Sequence, residues 1–596
     1  MCRIVGRVSR ENESDFGEGL KSMLAAVAHG GPDDEGTYID GGVALGHRRL
    51  AIIDLSKTGH QPMMAASSDI IISFNGEIYN YLEIRRELEN VGLLFRTKSD
   101  TEVILAAYQH WGVKTFDRLE GIFAFAIYDK RKELFFLVRD HFGVKPLYYF
   151  IDGEELIFSS EVRAFKALRT NWKENADWQV LFLAFGSIPH PYSTLSQVVQ
   201  LAPGSYLKLD LKNFTSDIQF YFKSNGYDYT VNSVHDALAQ MQFAMQKSLQ
   251  KNLISDAPLG VFLSGGIDSS LLALLADQFL SSVRTLSVNF DDSHFDEHTF
   301  QQLVLEKTKN VEHTSHRVTE HMFWEYLEDI WKAMDQPSID AVNAYFVTRF
   351  AKAEGIKSVL SGLGADEIFG GYASFRRIKW MRLLRQFPNK KRMGVLLSRL
   401  KKSWGRLVYL TLPGAIGDYL FLRGIHTPNQ ISSILKIPET KIWEVLSKVP
   451  FDVPFKMNDI EYASFLESKI YMTNQLLKDT DYMGMWHGVE VRVPFLDIEL
   501  LKKVRTIPPS IRYNDKWPKY LLTASNEHIL PRKIVFRKKK GFTFPFSLWM
   551  ERSSKRFRAL MPAGAEVDLL FEQFKGKHCH WSKCWSLAVL KQFTNN

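Results

Sequence analysis

Two rhythms of apolar and polar residues divide the chain. Up to about residue 210, short apolar runs alternate with turn residues, as in GGVALGHRRLAIIDL, DIIISFNGEIYN, GIFAFAIYD and ELFFLVRD. Such runs, punctuated by DGG and NGE, predict strands joined by tight connections. Helical spacing intervenes in NYLEIRRELENVG and DTEVILAAYQHWG, so this part reads as an α+β domain with a mainly antiparallel sheet. From about residue 235 the rhythm changes. A helical VHDALAQMQFAMQKSLQKNL precedes PLGVFLSGGIDSSLLALLADQF, a short apolar strand, a Gly-rich turn and a helix. SVRTLSVNF is a further strand, and IKSVLSGLGADEIFGGY repeats strand, glycine loop and helix start. Alternating strands and helices predict a doubly wound parallel sheet, an α/β unit. Beyond about residue 376 the pattern is mostly helical. The expected domains are therefore 1–210 and 235–596, with the linker between Leu207 and Val234. The uncharged stretch Trp178–Leu207 is broken by prolines, glycines and hydroxyl residues and reads as a loop-rich connection.

Composition narrows the class. With 596 residues, 45% hydrophobic and 24% charged, the chain is of soluble globular type and too long for one core. It shows neither a signal-peptide core at its start nor an apolar run of about 18 residues, so secretion and membrane spanning are not expected. Three cysteines, Cys2, Cys579 and Cys584, make no disulfide framework and point to a reducing cytoplasm. The tail HCHWSKCW is a weak metal pattern. Net charge is +8, but twelve Lys or Arg and no acidic residue fall within Arg376–Arg406. The chain is thus no uniformly basic nucleic-acid binder. That segment reads as a solvated helical pair with one apolar face, or as a surface for an anionic membrane or acidic partner.

Cys2 calls for its own account. An initiator Met is usually trimmed before a small residue, which leaves Cys2 with a free α-amine. The reference pKa of such an amine, about 7.7–8.0, lies close to the thiol's, about 8.5, so the amine can serve as base to its own side chain. Ordered motifs surround it: His29-Gly30-Gly31-Pro32-Asp33-Asp34-Glu35-Gly36, Leu45-Gly46-His47-Arg48-Arg49-Leu50, Phe74-Asn75-Gly76-Glu77-Ile78-Tyr79-Asn80, Ser99-Asp100-Thr101-Glu102 and Arg139-Asp140-His141-Phe142-Gly143-Val144-Lys145-Pro146. With Met1-Cys2, these resemble the class II glutamine amidotransferase domain of asparagine synthetases, an N-terminal-nucleophile sandwich of antiparallel sheets between helices. The resemblance implies Cys2 as nucleophile, with Asn75 and Gly76 as oxyanion hole. It implies Arg49 on the glutamine carboxylate, and Glu77 and Asp100 on its ammonium. The bland alternatives are a surface ion pair for Arg49 and a hairpin turn for Asn75-Gly76. Two positions depart from the family: Arg3 replaces the usual Gly after the cysteine, and Gly30 replaces the Arg of His-Arg-Gly-Pro-Asp. Arg3 is expected to add a cation beside the thiol, and Gly30 to remove a donor near the glutamine pocket.

Ser264-Gly265-Gly266-Ile267-Asp268-Ser269-Ser270, between strand and helix, gathers hydroxyls and helix-start N–H groups around an anion and lacks a Walker Gly-Lys-Ser/Thr ending. It resembles the PP-loop of ATP pyrophosphatases. A second loop, Ser361-Gly362-Leu363-Gly364-Ala365-Asp366-Glu367, follows in the order found in asparagine synthetases. The resemblance continues through Asp479-Thr480-Asp481, Glu490-Val491-Arg492-Val493-Pro494-Phe495-Leu496-Asp497 and Arg537-Lys538-Lys539-Lys540-Gly541-Phe542. It implies ATP and Mg²⁺ as cofactors, with Asp268 and Asp366 on the metal. Leu263, Ser264, Gly265, Gly266, Asp268, Ser269, Ser270, Val288, Ser361 and Gly362 would contact ATP, and Lys539 would stabilise the adenylation transition state. The implied reaction is adenylation of a carboxylate, aspartate by default, and amidation by glutamine-derived ammonia in a homodimer. Leu363 stands where strict asparagine synthetases have Glu, so a sugar acid or peptide acceptor is the second reading. A non-catalytic relative and a PP-loop RNA-modifying enzyme are further alternatives.

Overall fold

The computed structural model describes residues 2–10, 16–223, 226–292, 294–387, 389, 393 and 402–594. Its first part holds β1 (Cys2–Ser9), β2 (Asp34–Asp40), β3 (Val43–Arg49), β4 (Met63–Met64), β5 (Ile70–Ile78), β6 (Gly121–Asp129), β7 (Leu134–Arg139), β8 (Tyr148–Ile151), β9 (Glu155–Ser159), β10 (Val199–Gln200), β11 (Ser205–Asp210) and β12 (Thr215–Phe220). They form two six-stranded sheets, ordered β10-β8-β9-β1-β3-β2 and β12-β11-β7-β6-β5-β4, with every pairing antiparallel.

Side-chain alternation explains the layering. Ile4, Val8, Val43 and Leu45 of the first sheet pack against Ile71, Ala124, Leu137 and Leu207 of the second. On the first sheet's other face, Val5 and Ala44 meet Leu20 and Leu24 of the helix Phe16–Ala26. On the second sheet's other face, Ile72, Phe74 and Phe125 meet Val103, Ile104 and Ala107 of the helix Asp100–Trp111. The result is a helix–sheet–sheet–helix sandwich of the N-terminal-nucleophile type.

The second part contains β13 (Leu259–Phe262), β14 (Val283–Phe290), β15 (Val311–Val318), β16 (Ser358–Leu360) and β17 (Glu490–Arg492). All are parallel, in the order β15-β14-β13-β16-β17. Beyond about residue 376 most of the described residues are helical, as the spacing predicts.

Two stretches differ from expectation. Trp178–Phe185 is a buried helix in the largest apolar cluster, not part of a loop-rich connection. Its lack of charge reflects burial on all sides, where helical periodicity is invisible. The segment Leu207–Val234, expected as linker, contributes the end of β11 and all of β12 to the second sheet. Every residue of β12 is exposed, so no apolar stripe marked the strand.

Of the basic segment 376–406, residues 388, 390–392 and 394–401 lie outside the described ones, and with them much of the expected surface for an anionic partner. Its start belongs to the helix Ser374–Gln386, which buries Phe375, Ile378 and Met381 and exposes Trp380 and Leu383.

Candidate active sites

The first site forms at one end of the sandwich, between the two sheets. Cys2 begins β1 and lies opposite Arg49, the last residue of β3. Cys2 shares its side of β1 with Ile4, and Arg49 shares its side of β3 with Leu45, so both face the space between the sheets. On β5, Asn75 and Glu77 share the face of Ile71 and point into the same space. Asn75-Gly76 is therefore mid-strand and not a hairpin turn. Cys2 N–H donates to Asn75 Oδ1 at 3.1 Å. Asn75 Nδ2 and Glu77 Oε2 are buried with no hydrogen-bond partner among the described residues. Glu77 Oε2 lies 3.8 Å from Arg492 Nη2, and Asn75 Nδ2 is left as a free donor that a ligand oxygen could meet.

Gly76 adopts φ +151°, and a Cβ there would meet the Ile122 carbonyl oxygen at 2.1 Å. Gly76→Ala is expected to cost about 2–4 kcal/mol from strain and overpacking, read as a lower urea midpoint.

Arg49 is buried, and among the described residues it forms no surface ion pair. Its guanidinium donates to the carbonyls of Ser56 (2.8 Å) and Asp54, which fixes its direction. Asp100 opens its helix behind the Ser99 cap and accepts from Ile78 N–H at 3.0 Å. Burial raises Asp100 to about 6. Glu77 is raised well above the usual carboxylate range, by burial first and then by the Glu490 and Asp100 carboxylates, against Arg492. A ligand ammonium needs these carboxylates ionised. The KM for glutamine is thus expected to rise as pH falls through about 6, with kcat less affected, in a pH series of glutamate release.

Burial also pushes the Cys2 thiol up, although the Leu50 backbone and the Arg49 guanidinium act against it. The expected help from Arg3 is absent. Arg3 lies on the opposite face of β1, with Val5, and pairs at 2.6 Å with both Glu161 and Asp481. One step along a strand reverses the side chain's direction, so a neighbour in sequence is no neighbour of the thiol.

The second site follows from strand order. β13 pairs with β16, so the loops after them emerge side by side although about a hundred residues separate them. Carboxyl ends of adjacent parallel strands are where such sheets bind ligands. A cavity of about 990 Å³ opens there, walled by Leu263, Ser264, Gly266, Asp268, Ser269 and, from elsewhere, Val288, Ser361, Gly362, Asp366 and Lys539. Gly265 and Ser270 are not on its wall. Gly265 has φ +72° and shapes the turn. Ser270 is fully buried inside the helix Ile267–Phe279.

The loop is organised by its own hydroxyls. Ser269 Oγ lies 3.0 Å from Ser264 Oγ, and Gly266 N–H donates to Ser264 Oγ at 3.3 Å. Gly362 lets the second loop approach, since a Cβ there would sit 2.8 Å from Cβ of Asp268.

Lys519 is a residue the motifs do not reveal. Its Nζ lies 2.6 Å from Asp268 and 2.6 Å from Asp366, and its side chain is 5% exposed. Lys539, the lysine expected from the basic run, reaches Asp366 at 2.5 Å but is 44% exposed. Burial opposes the charge on Asp366, yet Lys519 and Lys539 outweigh it and hold this carboxyl at about 2. Lys519 has φ +48°, a strained conformation for a residue with a side chain, and such outliers concentrate at functional sites. Another stretch of wall carries Asp340, Asn343, Leu363, Arg376, Lys379 and Asp479.

A small void of about 10 Å³ lies where the two parts meet, bordered by Lys145 of the first and by Thr480, Asp481, Met485, Val491 and Val493 of the second. Thr480 also borders the large cavity.

Residues 1–222 match the glutamine amidotransferase domain, and residues 240–578 match the asparagine synthase family. The chain belongs to the asparagine synthase family. Within it, the chain is 32% identical to asparagine synthetase [glutamine-hydrolyzing] 1 of Bacillus subtilis, over 92% of this chain and 88% of that one. It is 36% identical to a putative asparagine synthetase of Methanocaldococcus jannaschii, over 65% and 79% of the two chains. It is 26% identical to amidase chry2 of Gibberella zeae, over 89% and 86%. This member of the family is a glutamine-dependent amide ligase that uses ATP. Among the described residues no helix is long and apolar enough to cross a membrane.

Proposed function

We propose that the chain adenylates a carboxylate at the β13–β16 cavity and amidates it with ammonia cut from glutamine at Cys2. The observation that carries this reading is the pair of sites in one chain. One is a thiol beside the Asn75 amide, the Glu77 carboxylate and Arg49, and the other is a Ser/Gly loop beside two carboxylates that share a lysine.

At the first site the Cys2 amine, freed of Met1, takes the thiol proton. The sulfur attacks the glutamine amide, Asn75 Nδ2 and Gly76 N–H receive the oxyanion, and ammonia leaves. The glutamyl thioester is then hydrolysed to glutamate. Arg49 would hold the substrate carboxylate, and Glu77 with Asp100 its ammonium. At the second site a carboxylate oxygen attacks the α-phosphorus and pyrophosphate departs. Ammonia then attacks the acyl carbon, and AMP leaves with that oxygen. Transfer inside the protein, away from bulk water, would keep the ammonia neutral and nucleophilic.

Mg²⁺ fits the second site. Asp268 and Asp366 already converge on one cationic atom, and a hard cation takes such carboxylates with phosphate oxygens. Among the described residues no group of three or more His, Cys, Asp or Glu converges, so phosphate oxygens and water would complete its shell. The ion would neutralise phosphate charge, and Asp268 and Asp366 would hold it.

Aspartate is the default acceptor. The wall offers carboxylates for an acceptor ammonium, Asp340 and Asp479, and cations for its carboxylates, Arg376 and Lys379. A second reading, a larger carboxylate such as a sugar acid or peptide, is favoured by Leu363, which lines the cavity and cannot exchange protons. One panel decides between them: the protein with Mg-ATP, glutamine and each acid in turn. Asparagine with AMP and pyrophosphate supports aspartate. AMP formed only with another acid reassigns the acceptor, and no acid-dependent AMP defeats the proposal.

A further inference from the structure

The two departures from the family pattern meet in space. A Cβ on Gly30 would lie 2.5 Å from Cγ and 3.0 Å from Nε of Arg3. An arginine at position 30 and the arginine at position 3 therefore exclude one another. The side chain missing at Gly30 is replaced from the strand that bears the nucleophile.

The relocated guanidinium is fully buried and held at both ends. Nε donates to Glu161 at 2.6 Å, and Nη1 donates to Asp481 Oδ2 at 2.6 Å. The other oxygen of Asp481 accepts from Lys145 Nζ at 2.8 Å. Glu161 is held further by His29 at 2.9 Å and Arg163 at 2.7 Å. Asp481 belongs to the helix Leu477–Trp486 of the second part, whereas Arg3, Lys145 and Glu161 belong to the first. Asp481 and Lys145 border the void where the two parts meet, and Thr480, next in the chain, borders both that void and the large cavity.

We propose that Arg3 is a positioning residue that seals the passage between the two sites. It acts through Asp481. With Arg3 and Lys145 on its two oxygens, Asp481 forms a neutralised, closed stretch of wall. Without Arg3, a buried carboxylate with half its partners gone draws water into a space that holds about one molecule. Ammonia then picks up a proton and escapes before it reaches the acyl carbon. Arg3 touches neither glutamine nor nucleotide, so each half-reaction survives its loss and the link between them does not. This rests on the proposed transfer of ammonia inside the protein.

The test is the ratio of glutamate released to amide formed, measured on the full chain with Mg-ATP, glutamine and whichever acid of the panel supports formation of AMP. The wild type should stay close to one to one. Arg3→Gly and Asp481→Asn should each raise the ratio at least threefold, with amide formation from ammonium chloride within twofold of wild type. Arg3→Gly combined with Gly30→Arg should return toward the wild-type ratio, while a purely structural defect in Arg3→Gly would lower the ammonium-dependent activity as well. If Arg3→Gly does not fold, Asp481→Asn and the double variant decide. Folded variants with the wild-type ratio overturn the role of Arg3. A wild type that releases glutamate without coupled amide would instead defeat internal ammonia transfer itself.

Discussion

Cys2→Ala should abolish glutamine as nitrogen source while leaving ammonium in use. Cys2 is the thiol at one end of the sandwich, opposite Arg49 and bonded through its N–H to Asn75. No other cysteine lies near: Cys579 and Cys584 belong to the C-terminal tail, and Cys584 is buried there in another cluster. Loss of a covalent nucleophile typically lowers turnover by on the order of 10⁴-fold or more. Glutamate release should fall by that factor. The carboxylate-activating cavity shares no residue with this pocket, so amide formation from ammonium chloride should hold within about twofold, as expected for independent sites. Loss of both activities would mean that Cys2 is structural. Retention of glutamate release would place the nucleophile elsewhere.

Lys519→Ala should produce the opposite pattern. It removes the cation that lies 2.6 Å from both aspartates and leaves them with only the half-exposed Lys539, on Asp366. Removal of a preorganised charge that meets a transition state costs on the order of 10²–10³-fold in turnover. Carboxylate-dependent formation of AMP and pyrophosphate should fall by that amount, whichever nitrogen source is used. Glutamate release in the absence of ATP should persist. Lys539→Ala should cost less, about tenfold, because its side chain is nearly half exposed and solvent screens its charge. If Lys539→Ala proves the more damaging, the order inferred from burial is wrong.

How much of this was legible in the sequence depends on how local each feature is. The loop Ser264–Ser270 announces itself because its hydroxyls and glycines organise one another within a few residues. The parallel sheet was readable from alternating strands and helices. The closeness of the two glycine loops was not, because it depends on β16 inserting beside β13. Lys519 had no signal: Trp517-Pro518-Lys519-Tyr520 is an ordinary string until the fold carries it between two aspartates. Lys539 drew attention only as part of a basic run. Arg3 shows the opposite fault, where sequence adjacency suggested a contact with Cys2 that strand alternation forbids. The alternation of Ile4 and Val8 with Val5 holds that information, once β1 is known to be covered on both faces. The helix Trp178–Phe185 was missed because complete burial erases the polar side that betrays a helix.

The central claim is that the carboxylate is activated as an acyl-adenylate and then converted to an amide. The most direct measurement uses an acceptor labelled with ¹⁸O in its carboxylate, incubated with the protein, Mg-ATP and glutamine. The label should appear in the phosphate of AMP, in step with amide formation. Label in orthophosphate alongside ADP, or AMP that carries none, would contradict the account.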